Sequence, residues 1–295
     1  MQGERMRFAD IGQQLRAYRL ESGLRAEEIA SRLGVSRAAL YRYEKGDVIK
    51  LDTVKRLSEL LKISPLSLMG IGVEYYGRPS AFFERLRQIE ETADQELFAY
   101  KPTCYLTTSD AYDAALAGAL QDAATAVGAD RGQASAAAEQ LLGVLTARKR
   151  LYMQRRPAII AILSLPAIRS FLDLGVGGQL PVSERTRRRC RDAAVQEISR
   201  VADLMEAQPM GLQFGLVPHG GQGCFSLLRS RDRATLTINP FAPDTPPVGQ
   251  NGVAIITGAD EAIAAHQRVA EPLWREAVKG PEAAAQVRAL LPSAE

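Results

Sequence analysis

The sequence predicts two regions of different fold class. Residues 1–72 read as an all-α amino-terminal domain, and residues 81–295 as an α/β (α+β) domain with a small, largely antiparallel sheet, joined by a linker at 73–80. Three observations carry this division. Through residue 70, apolar residues recur at helical spacing between capping residues and glycine stops. The stretch "GIGVEYYGRPS" (Gly70–Ser80) then gathers three glycines and a proline, residues that punctuate a chain. Beyond residue 210 the pattern changes to short apolar runs separated by turn residues.

In the first region, Phe8, Ile11, Leu15 and Tyr18 predict a helix that Gly23 stops. A second helix over 26–33 ends at Gly34. A third over 36–45 begins at Ser36, a good N-cap, and ends at Gly46. A fourth has Asp52 as N-cap and Val54, Leu57, Leu60 and Leu61 on one face. A short fifth starts at Ser64, with Pro65 at the first helical position, where a missing N–H is harmless.

The second region opens with a helix from Ala81 and a short strand that ends at Pro102. Residues 110–150 are alanine-rich and helical, broken at "GADRG" (Gly128–Gly132), and helical segments continue through 157–174. A long helix follows over about 183–207, with Ala194, Ile198, Val201 and Met205 in one stripe. Four strand-like runs come next: "GLQFGLVP", "CFSLLRS", "ATLTINPF" and "GVAIITG", the second and third joined by a hairpin turn at "RSRDRA". Closing helices stop at Gly280-Pro281.

Composition narrows the function. Hydrophobic residues make up 46% and charged residues 24% of the 295, a globular balance. The longest apolar stretch, Pro157–Ile168, is too short to span a bilayer, and the first ten residues lack the apolar core of a secretory signal. Cys104, Cys190 and Cys224 are odd in number and widely spaced, with no CxxC, so neither a disulfide framework nor a zinc site is expected. A cytoplasmic protein without membrane contact, metal or cofactor is the expectation. Through Arg78 there are 14 Lys+Arg against 10 Asp+Glu. The remainder of the 37 and 34 leaves 23 against 24, so a mildly basic head sits on a neutral body.

The third helix carries the chemistry. At 100° per residue with Arg37 at zero, Tyr41 falls near ~40°, Ala38 near ~100° and Arg42 near ~140°. Ala39, Tyr43 and Leu40 fall near ~200°, ~240° and ~300°, on the opposite side. One face packs on the preceding helix while the other presents two guanidinium groups, a tyrosine and a small alanine. Such a face suits a DNA major groove, where arginine matches the guanine O6/N7 edge. For an isolated helix the bland reading, a solvated face, prevails.

Its context shifts that balance. Leu15, Arg19, Gly23, Leu24, Glu28, Ile29, Ala30, Leu33, Gly34, Val35, Ser36, Leu40, Tyr43, Glu44, Gly46, Leu57, Leu60 and Leu61 together resemble the lambda-repressor-like (Cro/repressor, xenobiotic-response-element type) helix-turn-helix family over about residues 8–70. The resemblance implies that Ser36 caps the recognition helix and reaches a phosphate. It implies that Arg37, Ala38 and Arg42 face bases, that Lys45 and Lys50 lie near the backbone, and that Arg19 and Glu44 form a structural ion pair; Tyr41 joins the DNA-binding set by its place on the same outward face. Where the family often opens its second helix with Thr-Gln, this chain has Arg25-Ala26, so Arg25 takes the place of a phosphate-binding glutamine.

The second region is larger than DNA reading needs. With two histidines, His219 and His266, and no HExxH, GxSxG or Walker loop, an enzyme is not expected. The basic clusters "ARKRLYMQRRP" and "SERTRRRCRD" read either as helix ends or as the rim of an anion pocket. Tyr100, Tyr105, Tyr152, Arg155, Arg188 and His219 are the candidate effector-binding residues. The expected protein is a transcription regulator, a repressor or relative, that reads a double-stranded operator as a homodimer, with residues 81–295 dimerising and sensing a small anionic effector. The alternative is a DNA-binding protein whose second region holds a protein partner.

Overall fold

The computed structural model describes residues 8–69, 72–126, 131–221, 223–241 and 252–292. The break expected at Gly128–Gly132 falls largely on residues outside these, as do Gly70 and Ile71 of the expected boundary stretch Gly70–Ser80. Five helices form the amino-terminal bundle: α1 (Phe8–Ser22), α2 (Ala26–Leu33), α3 (Arg37–Glu44), α4 (Leu51–Leu61) and α5 (Pro65–Leu68). Leu15, Ile29, Leu40 and Leu57 meet at its centre with no exposed surface. Ser36 and Ser64 cap α3 and α5 as expected, each accepting a backbone N–H. The α4 cap is Lys50 rather than Asp52, which lies in the first turn where its charge favours the helix dipole.

The second region alternates helices and strands: β1 (Val73–Tyr76), α6 (Pro79–Glu90), β2 (Gln95–Lys101), α7 (Asp110–Ala126), α8 (Arg131–Arg155), β3 (Ala158–Ser164), α9 (Leu165–Leu174), α10 (Glu184–Ala207), β4 (Leu212–Val217), β5 (Phe225–Arg229), β6 (Ala234–Ile238), β7 (Ala254–Thr257), α11 (Asp260–Glu276), β8 (Val278–Lys279) and α12 (Gly280–Arg288). Gly280-Pro281 therefore opens a helix rather than closing one, with proline in the first turn, where it needs no donor. A single 3-10 turn, Tyr105–Thr107, follows β2.

Among the described residues the strands form one sheet of eight, in the order β1-β7-β6-β5-β2-β3-β4-β8. The expectation of a small, largely antiparallel sheet is corrected here. The three central strands β2, β3 and β4 run parallel, and antiparallel strands flank them on both sides. Parallel neighbours need long crossovers, which the helix pairs α7–α8 and α9–α10 supply. The reading of 157–174 as wholly helical hid β3. Its run "AIIAILS" is apolar throughout because both faces of a central parallel strand are covered, so it lacks the alternation of a half-exposed strand. Ile159, Ala161 and Leu163 look toward α10 and α12, while Ile162 looks toward α11 with Leu227 and Leu236.

The connector is itself structured. β1 lies antiparallel to β7, with Glu74 opposite Ile256, and Pro79 begins α6. Glu74, on the covered face of this pair, accepts four hydrogen bonds. Gln14 Nε2 of α1 donates at 2.7 Å, the Tyr76 hydroxyl at 2.6 Å, and Arg85 Nε and Nη2 of α6 at 2.9 and 3.0 Å. Around this centre Tyr18 stacks on Tyr76 at 5.5 Å between ring centroids. Arg16 pairs with Glu84 at 3.0 Å, and the Glu21 carboxylate accepts the backbone N–H groups of Gly77 and Arg78 at 2.8 and 2.9 Å. Helix α6 then turns its other end to α8, where buried Arg148 pairs with Glu90 at 2.5 Å. Burial and the like charge of Glu90 push the neighbouring Glu96 carboxyl up to about 7.

Burial alone would raise the Glu74 carboxyl, but the charge of Arg85 and the hydrogen bonds from Arg85, Tyr76 and Gln14 outweigh it and hold the group below the usual carboxylate range. Glu74→Ala leaves the Arg85 guanidinium buried without its counter-charge, and urea denaturation of the full chain is expected to show a loss of about 3–5 kcal/mol. A folded-state pKa below the ordinary value means that this stabilisation is complete above the carboxylate range and is lost as pH falls through the depressed pKa. The wild type is thus expected to lose more stability on acidification than Glu74→Ala. Equal losses, or a substitution cost below about 1 kcal/mol, contradict this assignment.

Candidate nucleic-acid interface

Helices α2 and α3 are joined by a tight turn at Gly34, whose φ of 70° is left-handed and suits glycine. The amide of Val35 donates back to the Ala30 carbonyl at 3.0 Å, closing the turn. Ser36 Oγ accepts from the Ala39 amide at 3.1 Å and starts α3. Leu40 is wholly buried against α1 and α2, which turns Arg37, Ala38 and Arg42 outward into solvent. Tyr41, one turn after Arg37, is half-buried, and its hydroxyl accepts from Arg37 Nη2 at 3.2 Å.

Both outward arginines are held by carboxylates at the surface. Arg37 pairs with Glu27 of α2 at 2.6 Å, and Arg42 with Asp47 at 3.6 Å. Exposed pairs of this kind contribute about 0–1 kcal/mol, so either guanidinium exchanges readily onto a stronger acceptor. Arg25 is exposed at the start of α2, and Lys45 and Lys50 are exposed on either side of the α3–α4 turn. In and just after that turn stand two apolar side chains missed in the sequence, Val48 and Leu51, at 69% and 80% exposure. The eight expected DNA-facing residues, Arg25, Ser36, Arg37, Ala38, Tyr41, Arg42, Lys45 and Lys50, lie on α3 and at the helix ends beside it.

Two contacts fix α3 from behind. Arg19 and Glu44 pair as the resemblance implies, with two hydrogen bonds of 2.5 and 3.1 Å. Gly12 was not singled out in the sequence, yet α1 passes so close to the end of α3 there that an added Cβ would come within 2.9 Å of the Glu44 carbonyl and the Gly46 nitrogen. The Tyr43 carbonyl would be closer still.

The expected effector residues do not share one cavity. The Tyr100 and His219 rings lie 6.4 Å apart at the carboxyl ends of β2 and β4. Tyr105 packs edge-on against Tyr112, with Lys149 Nζ 4.9 Å from its ring. Arg155 lies 4.0 Å from Asp94, and Arg188 pairs with Glu184 on an exposed turn of α10. Tyr152 alone of the six lines an open cleft of about 780 Å3, bounded by the 3-10 turn, α7, α8, α10 and the amino ends of β3 and β4. Much of the two basic clusters is internal bracing. Arg148 is buried on Glu90, Lys149 pairs with Asp113 at 2.6 Å, and Arg187 donates to the carbonyls of Gly178 and Leu180.

Residues 10–67 match a family model described as "Helix-turn-helix domain". The amino-terminal bundle is therefore a helix-turn-helix domain of the Cro/repressor type, a DNA-binding architecture, and the match stops before β1. No curated protein matches the chain. Among solved structures, the chain is similar to that of TrmBL2, an archaeal chromatin protein described as showing a novel mode of DNA binding. The likeness is 11% identity over 90% of this chain and 92% of that one, with a TM-score of 0.31, which does not define a shared fold. No helix among the described residues is long and apolar enough to cross a membrane.

Because the space at Gly12 is closed by backbone atoms, Gly12→Ala is expected to destabilise the head by about 1–3 kcal/mol through overpacking. This runs against the higher helix propensity of alanine. Chemical denaturation of the variant checks it, and a neutral or stabilising substitution would show that α1 and α3 have room to separate.

Proposed function

We propose that this chain is a sequence-specific transcription regulator. The helix-turn-helix domain reads a double-stranded operator, and the second region pairs two copies and senses a small anionic effector. The observation that carries the reading is the outward face of α3, where Arg37, Ala38 and Arg42 stand exposed while Leu40 and the Arg19–Glu44 pair hold the opposite side. A helix presented in this way fits the major groove, and its two guanidinium groups suit guanine edges. A cleft of about 780 Å3 in the second region is of the size that small-molecule sites have, which supports the sensing part. Pairing follows from symmetry, because one small reader contacts few bases and two on adjacent half-sites multiply the affinity.

Arg37→Ala and Arg42→Ala are each expected to weaken operator binding by about 1–3 kcal/mol and to relax the base preference at one position. Both side chains are exposed, so stability should change by less than about 0.5 kcal/mol. Lys45→Ala and Lys50→Ala should instead weaken binding to all sequences and flatten its salt dependence. Footprinting against operator variants separates the two behaviours. An unchanged base preference in both arginine variants removes α3 from the reading role.

Sedimentation velocity of the full chain at micromolar concentration is expected to show a dimer. A strictly monomeric chain that still binds a palindromic operator with full affinity contradicts pairing through the second region.

A further inference from the structure

We propose that the cleft at the amino ends of β3 and β4 binds a small organic anion, a carboxylate or phosphate monoester with an apolar body, whose head Arg150, Arg156 and Arg200 hold. The proposal rests on the sensing reading above for its effect on DNA, and not for the binding itself.

The charge in the cleft is only partly satisfied. Lys149 is engaged by Asp113 and by the Thr108 carbonyl at 3.0 Å. Arg200 is a positioned group. It donates to the Thr107 carbonyl and lies 3.4 Å from Glu197, a wholly buried carboxylate that also accepts the Ser109 amide at 2.9 Å. Arg150 and Arg156 are exposed on the cleft lining with no ion pair among the described residues, and Asp110 is the one lining carboxylate in the same condition. Two guanidinium groups without an ion pair, beside the positioned Arg200, thus face one unmatched carboxylate. Arginine suits this use because its planar fork meets carboxylate and phosphate oxygens two at a time.

Tyr152 lines the same cleft as Arg156 and Arg200. Burial and Cys104 raise its pKa against the opposing charges of Arg156 and Arg200, so the phenol keeps its proton. The backbone agrees. Arg156 adopts a left-handed φ of 52°, a region that side chains other than glycine rarely occupy, held by its amide donating to the Tyr152 carbonyl at 2.8 Å. Lys62 and Gln208 take the same conformation at the ends of α4 and α10, so this is a helix stop that also sets Arg156 on the cleft.

The lining also carries apolar groups, beside the polar Thr107, Thr108, Thr146 and Gln154. Leu106, Leu204 and Leu212 line the cleft, and Met153 and Met210 stand exposed on it. Inorganic phosphate would leave these groups wet, and an uncharged apolar molecule would leave Arg150 and Arg156 unpaired. Only an anion with an apolar body answers both. The cleft also has a route to the reader. Arg150 lies two residues beyond Arg148, whose partner Glu90 is on α6, and α6 meets α1 through Glu84.

The test is calorimetric titration of the full chain with four probes: octanoate, octyl phosphate, octan-1-ol and inorganic phosphate. One of the two amphipathic anions is expected to bind with one site per chain, and the two arms tell carboxylate from phosphate. Octan-1-ol and inorganic phosphate should bind at least about tenfold more weakly. Arg150→Gln and Arg156→Gln should each weaken the binding anion by roughly tenfold, and Arg188→Gln, away from the cleft, should not. Arg156→Gly separates binding from folding, because it should lose affinity while raising the melting temperature. The proposal is overturned if neither anion binds, if octanol binds as well as the anions, or if the Arg150 and Arg156 variants bind normally. It is equally overturned if those variants lose duplex DNA instead, which would make the cleft a DNA contact. Operator affinity measured in the same samples keeps the two readings apart. Ligand binding without a change in operator affinity ends the sensing role and leaves the site, whereas a wild type that ignores DNA ends the regulator reading alone.

Discussion

One buried carboxylate holds the molecule together at its junction. Glu74 takes hydrogen bonds from α1, from its own strand and from α6, through Gln14, Tyr76 and Arg85. A charge taken out of water is expensive, and the expense is recovered only when every donor is in place. The pair is therefore a constraint more than a source of stability. The strand bearing Glu74 must lie along β7, α6 must present Arg85, and α1 must present Gln14, all at once. Where the family match ends, the chain does not become a free tether; it enters the sheet.

This changes how the reader and the body can communicate. A connector of glycines and a proline reads as a hinge between two independently moving parts. In the structure Val73–Tyr76 form a strand and Pro79 begins a helix, and α6 touches both sides. Its Glu84 faces Arg16 of the reader, and its Glu90 faces Arg148 of α8. The orientation of α3 is thus referred to the body through a rigid helix. A signal from the cleft can reach the reader by shifting α6 or the pairing of two copies.

How much of this the sequence discloses depends on the range of the interactions. The reader is legible because its signals are local: Ser36 three residues before the amide it caps, Gly34 at the turn, Leu40 on the inner side of a short helix. The outward side of α3 follows from helical geometry alone. The sheet is harder. β3 is apolar on both faces and so shows no period, and β1 is hidden among residues that usually break structure. The ion pairs are least legible. Arg148 and Glu90 are 58 residues apart, so a basic run that looks like a solvated helix end is partly core. The aromatic residues chosen as pocket walls scatter for the same reason, since which of them share a cavity depends on crossover paths that a single sequence does not show.

The central claim is that reader and body open as one unit. Native-state hydrogen exchange on the full chain tests it most directly, through the amides at the core of α1 and those of α6. If the Glu74 junction couples them, both helices exchange through the same opening, with equal free energies and equal dependence on denaturant. If α1 exchanges through an opening of its own while α6 stays protected at the level of the central strands, the reader moves independently and the account of a rigid junction is wrong.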